Sequence, residues 1–149
     1  PVRVAASGVT ASYKNWDVYQ KDNNSTVTLM NSTTFVPGRK PVAFMVSFKC
    51  EAGVLSSYIQ FTNQLNFDKP DRSDAAIVYF GKEPQLWNSI PEFTDKYIAK
   101  DPKSVLGLLK SSSTVNLTFM ENKAKNPTEV KIKTDGLNEL ISQLPRGCQ

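Results

Sequence analysis

The chain of 149 residues contains no histidine. That removes the Ser-His-Asp and Cys-His nucleophilic arrangements and the usual histidine-bearing zinc sites. Cysteine is scarce: Cys50 and Cys148 are the two present, and neither belongs to a C-x-x-C pair of the zinc or thioredoxin type. No apolar run approaches the roughly 18 residues of a membrane span. Neither G-x-x-x-x-G-K-[ST] nor G-x-G-x-x-G occurs, so nothing points to a nucleotide or another cofactor. The many serines lack a G-x-S-x-G elbow, which leaves a Ser-Lys catalytic pair without a motif. Concentrated charge is missing as well. Eighteen Lys and Arg stand against 14 Asp and Glu, a net charge of +4, and Arg39-Lys40 is the only adjacent basic pair. Nucleic-acid binders gather positive charge on one face with aromatics between. The linear sequence therefore argues for a protein partner rather than a nucleic acid.

What is present is alternation. Val42, Phe44, Val46, Phe48 and Cys50 alternate with Ala43, Met45, Ser47 and Lys49. Period two over that length predicts a strand with one buried face. Glu51-Ala52-Gly53 is a turn, and Leu55, Ser57, Ile59 and Phe61 alternate back along a second strand. Before this hairpin, Trp16 and Val18, with Tyr13, open a strand that turns at Asp22-Asn23-Asn24-Ser25 and returns over Thr26–Met30. Asn31–Lys40 reads as a polar loop around Pro37-Gly38. Later strands are expected at Ala76–Phe80, near Leu86–Asn88, at Val115–Met120 and around Val130–Lys133, with a turn at Gly81-Lys82-Glu83-Pro84. Asp101-Pro102 is a helix start, Asp as N-cap and Pro in the first turn, for a helix over about 102–110. A second helix over about 136–144, capped by Thr134 or Asp135, carries Leu137, Leu140, Ile141 and Leu144 inward and stops at Pro145.

A chain of this length is one ordinary domain, 1–149, with residues 1–10 as an extended or mobile lead-in. It buries roughly 68–70% of its unfolded surface, enough for a core without metal. Strands joined by short turns predict a mainly β protein, an antiparallel β-sandwich or flattened barrel with two short helices over an open end or edge. A closed barrel with a helix in each mouth is the alternative. The start at Pro1-Val2-Arg3 fits a mature chain after signal removal, or a trimmed recombinant one.

No catalytic residue can be named. Asp68, Asp71 and Asp74 are the densest acidic group, but their spacing does not match a calcium loop. They read as turn-capping groups of a solvated loop, and a cation contact there is the one metal reading the sequence allows. Asn23, Asn24, Asn31 and Asn116 each begin an N-x-[ST] sequon, of the kind that glycosylation uses in eukaryotic secreted chains. Trp16, Trp87, Tyr58 and Tyr97 are either core or an aromatic binding surface; aromatics at strand spacing favour core. The cysteines also have two readings. One is a pair of unrelated buried thiols in a reducing compartment. The other, which the position of Cys148 beside the end favours, is a disulfide that anchors the tail, and it implies an oxidising compartment.

The order of segments adds a resemblance. W-D-V at 16–18 is followed by K-D-N-N-S-T-V-T-L, V-S-F-K-C, S-S-Y-I-Q-F, D-A-A-I-V-Y-F-G and L-W-N-S. The helix P-K-S-V-L-G-L-L, V-N-L-T-F and G-L-N-E-L-I-S-Q-L-P-R-G-C complete it. The chain resembles the VasI-like family of type VI secretion-associated bacterial proteins over about residues 16 to 148. The cysteines, Trp16, Trp87 and the Gly136-Leu137 helix entry carry the resemblance. It departs where the family has Asp-Asp before Ser-Thr (here Asn23-Asn24), Arg before the first Cys (Lys49) and Trp closing the second hairpin strand (Phe61). The resemblance implies a Cys50–Cys148 link and an exported, periplasmic or secreted, non-enzymatic accessory or binding protein of the envelope, tied to a secretion system. A periplasmic inhibitor or immunity protein that blocks a foreign enzyme is the alternative.

Overall fold

The structure is a computed structural model that describes residues 11–21, 26–38, 40–62, 75–93, 95–121 and 124–149. Residues 1–10, the turn at 22–25 and the acidic loop with Asp68, Asp71 and Asp74 lie outside the described residues. Among the described residues ten strands follow one another: β1 (Ala11–Tyr13), β2 (Trp16–Lys21), β3 (Thr26–Phe35), β4 (Val42–Glu51), β5 (Val54–Phe61), β6 (Ala75–Phe80), β7 (Glu83–Ser89), β8 (Lys96–Ala99), β9 (Thr114–Phe119) and β10 (Thr128–Lys133). Helix α1 (Pro102–Lys110) sits between β8 and β9, and α2 (Leu137–Ile141) follows β10. All strands belong to one antiparallel sheet in the order β1-β2-β3-β4-β5-β8-β7-β6-β9-β10. The protein is mainly β, the flattened barrel expected from the strand pattern.

The central hairpin is as the alternation predicts. Cys50 faces Leu55 and Glu51 faces Val54, leaving Ala52 and Gly53 as a two-residue turn with φ of 50° and 78°. Both positive values match a type I′ turn, whose twist suits the strands. Val42, Phe44, Val46, Phe48 and Cys50 point inward and are buried.

The sheet folds over on itself. Phe44 of β4 stacks on Phe119 of β9 at 5.9 Å, although four strands, β5, β8, β7 and β6, lie between them in the ladder order. β1 and β10 do not pair. Instead β10 returns to β3 just beyond the start of β2. There Asn31 Nδ2 donates to the carbonyls of Asn15 (3.2 Å) and Lys133 (2.7 Å). Nearby, Trp16 Nε1 donates to the Thr134 carbonyl at 3.2 Å. A side-chain amide thus bridges the seam that a closed barrel would zip with main-chain bonds. Asn31 is buried by these contacts, so its sequon is structural, whereas Asn116 is exposed.

Both helices cover the same mouth and touch each other, rather than plugging opposite ends. The topology dictates this: β8 and β10 run the same way, so the segments that follow them emerge at one end. Asp101 accepts from the Ser104 backbone N–H at 3.2 Å and caps α1. α2 is shorter than the leucine spacing suggests and takes Gly136 at its N-cap, with φ of 96°. Thr134 does not serve that role, because its hydroxyl donates to the Ser112 carbonyl. A Cβ on Gly136 would lie 2.9 Å from Tyr13 Cδ2, so the close approach requires glycine as much as the backbone does. The other mouth holds Phe35, Phe44, Phe61, Phe119 and Tyr97, joined by ring contacts of 5.9–6.2 Å.

Several expectations change. Asn31–Phe35 is strand, not loop; Ser32 and Thr34 are exposed, so the stretch lacks the polarity contrast of a half-buried strand. The turn after β6 is Gly81-Lys82 alone, and Glu83 and Pro84 begin β7. Proline is tolerated because β8 pairs only with Trp87–Ser89, which leaves the Pro84 end of β7 an edge. β8, four residues long, carries too few alternations to read from sequence.

The tail is fastened. Cys50 and Cys148 form a disulfide with Cα atoms 5.9 Å apart, and of the two cysteine readings this is the correct one. A short 3₁₀ turn, Arg146–Cys148, lies against the β4–β5 turn.

Candidate functional site

Inward side chains make the core, so any working surface must come from the alternate set. On the outer face of β2–β5 and β8 the registers line these residues up in rows. Tyr19, Thr28, Lys49 and Ser56 form one row; Lys21, Thr26, Glu51 and Val54 form the row below. Above them lie Asp17, Met30, Ser47, Tyr58 and Ile98, then Ser32, Met45, Gln60 and Lys96.

The middle of this face is built of short side chains and its flanks of long ones. Thr28 and Ser47 form a floor, and Tyr19, Met30, Lys49, Tyr58 and Lys96 rise around it. The result is a concavity of about 460 Å³. Its polar groups are hydroxyls, ammoniums, the amides of Gln20 and Gln60, and one carboxylate. Glu51 takes a bond from Thr26 Oγ1 at 3.4 Å and pairs with Lys49 Nζ at 3.4 Å. Lys96 Nζ lies 4.6 Å from the Tyr58 ring centroid and 5.1 Å from that of Phe93. Two aromatic faces thus hold one ammonium in place by cation–π attraction. Neither Lys21 nor Lys96 has an acidic partner among the described residues.

Other depressions are less equipped. The seam holds a hollow of about 230 Å³ lined by Asn31, Ser32, Thr33, Lys131 and Lys133 among others. A groove of about 430 Å³ runs between α2 and the inner side of β2–β3. On the opposite outer face Tyr79 and Leu86 are 44% and 40% exposed. Lys14, near the start of α2, holds its proton more tightly than an ordinary lysine. The neighbouring Tyr13 is the main cause, and Glu139, 3.7 Å away, the next.

Of the four aromatics singled out in the sequence, Trp16, Trp87 and Tyr97 are core, and Tyr58 alone stands on the candidate face. Sequence reading missed Tyr19, Lys21, Lys49 and Lys96 as a group. Each is an ordinary outward residue of its own strand, and only the register unites them. Among the described residues no group of three His, Cys, Asp or Glu side chains comes together. No helix among them is long and apolar enough to cross a membrane. No family model, curated protein or solved structure matches the chain.

Proposed function

We propose that the protein is an exported, non-enzymatic binding module of the bacterial envelope, acting through the outer face of β2–β5 and β8. The concavity carries this reading. It joins aromatic rings, hydroxyls and unneutralised ammoniums on a rigid antiparallel sheet, which are the ingredients of a recognition surface. The Cys50–Cys148 disulfide supports a periplasmic or secreted setting, because such links persist in oxidising compartments. The resemblance to VasI-like proteins supports an accessory role beside a secretion system.

Placing a photo-crosslinking phenylalanine derivative at position 58, and separately at 79 on the opposite face, tests the reading in the native envelope. A discrete protein adduct from position 58 and none from 79 is the expected result. No adduct from 58, or the same adducts from both, counts against it. An adducted lytic enzyme that the purified protein inhibits at equal molar amounts turns the accessory role into that of an inhibitor.

A further inference from the structure

We infer that the partner presents an acidic, extended peptide segment that crosses the sheet face diagonally over Lys21, Lys49 and Lys96. The inference rests on the reading of that face as the binding surface. The registers set the geometry. Lys21 faces Thr26, and Thr28, two residues on, faces Lys49. Lys49 faces Ser56, and Gln60, four residues on, faces Lys96. With strands about 4.8 Å apart and a rise of about 3.3 Å per residue, the Cα steps are about 12 Å and about 16 Å. Both steps climb in the same direction, so the three lysines mark one diagonal of about 28 Å. It passes over the floor of Thr28 and Ser47 rather than along its rim.

An extended chain covers each step in about four residues, an even interval that keeps the carboxylates on one face, and the flexible lysine side chain closes the remainder of the longer step. Carboxylates at such intervals would each meet one ammonium, while the intervening backbone lies over hydroxyls that donate to or accept from peptide groups. Lys21 and Lys96 are uncompensated by acids among the described residues, and Lys96 is held in position by Tyr58 and Phe93. Lys49 is shared with Glu51, so it can exchange one carboxylate for another. Glu51 itself accepts from a backbone or side-chain donor of the partner. A nucleic-acid strand fits less well. It carries a charge about every 3.4 Å, far denser than this diagonal, and Glu51 would repel it. A sugar ring stacked on Tyr58 would have to displace Lys96.

Fluorescence anisotropy with a defined probe tests this. The probe is a labelled Ser/Gly/Thr peptide of about ten residues, with glutamates at about the first, fifth and ninth positions. At low salt it binds the parent protein, and K21Q/K49Q/K96Q weakens binding about tenfold, as three exposed ion pairs allow. K110Q/K125Q/K131Q, on other surfaces, leaves it unchanged, and added salt weakens it. Equal binding of a glutamine-substituted probe, equal loss in both triple variants, or tighter binding of an oligothymidine of the same length overturns the inference. Thermal melts of both variants verify that they fold. The position-58 crosslink, repeated in K21Q/K49Q/K96Q, separates the two claims. An adduct that persists undiminished overturns the acidic partner and leaves the face standing; no adduct even in the parent overturns the face.

Discussion

Replacing Cys148 with serine is expected to lower stability by about 4 kcal/mol and the melting temperature by roughly 10–15 °C. The disulfide joins residues 98 apart in sequence, and closing a loop of about 100 residues is worth up to about 4.7 kcal/mol in the chain-entropy model. The local structure adds to the entropy. Cys148 is fully buried, so a serine there leaves a hydroxyl in the core mouth. Gly147 lies so close to the Gly53 carbonyl that a Cβ would collide with it. The tail is thus seated in a slot shaped by the β4–β5 turn, and the covalent link keeps it there. Thermal and urea unfolding of the parent, C148S and C50S/C148S check this. The double variant is expected to match the single one, because both lose the same loop closure. A shift below about 2 °C would mean that the tail contributes no anchoring.

Phe44→Ala is expected to cost about 3–5 kcal/mol. Phe44 is fully buried and stacks on Phe61 at 6.0 Å and on Phe119 at 5.9 Å, with Phe35 edge-on at 6.2 Å. It joins the two walls at the mouth opposite α1 and α2. Truncation there removes contact with β3, β5 and β9 together, and a flattened barrel held by many ladders has little freedom to collapse into the void. Phe44→Leu keeps much of the volume and is expected to cost well under half as much. Urea titration measures both as shifts of midpoint with unchanged slope. A cost for Phe44→Ala below about 1 kcal/mol would place the two walls out of contact there.

The sequence disclosed what local periodicity can carry. The Val42–Phe61 hairpin was readable because the nine residues from Val42 to Cys50 alternate cleanly, and α1 because Asp101-Pro102 is a start signal of defined chemistry. The second half of β3 was not readable. Around the seam its outward residues are polar or exposed, and buried Asn31 earns its place through two carbonyls distant in sequence. α2 was legible as a leucine pattern, but its start was not. The positive φ at Gly136 answers to the packing of Tyr13, from the far end of the chain. The candidate face was the least legible part. Lysines that look dispersed in the linear chain converge because β8 inserts beside β5. A strand of four residues thereby sets where Lys96 stands. Charge dispersal along a sequence is thus no measure of charge dispersal on a sheet.

The most direct test of the central claim, that the outer face of β2–β5 and β8 is the working surface, is a backbone amide NMR titration with the acidic peptide. The expected result is shift changes confined to residues 17–21, 26–30, 45–51, 56–60 and 96–98. Changes centred instead on Tyr79 and Leu86, on the Asn31 seam or along α2 would contradict it.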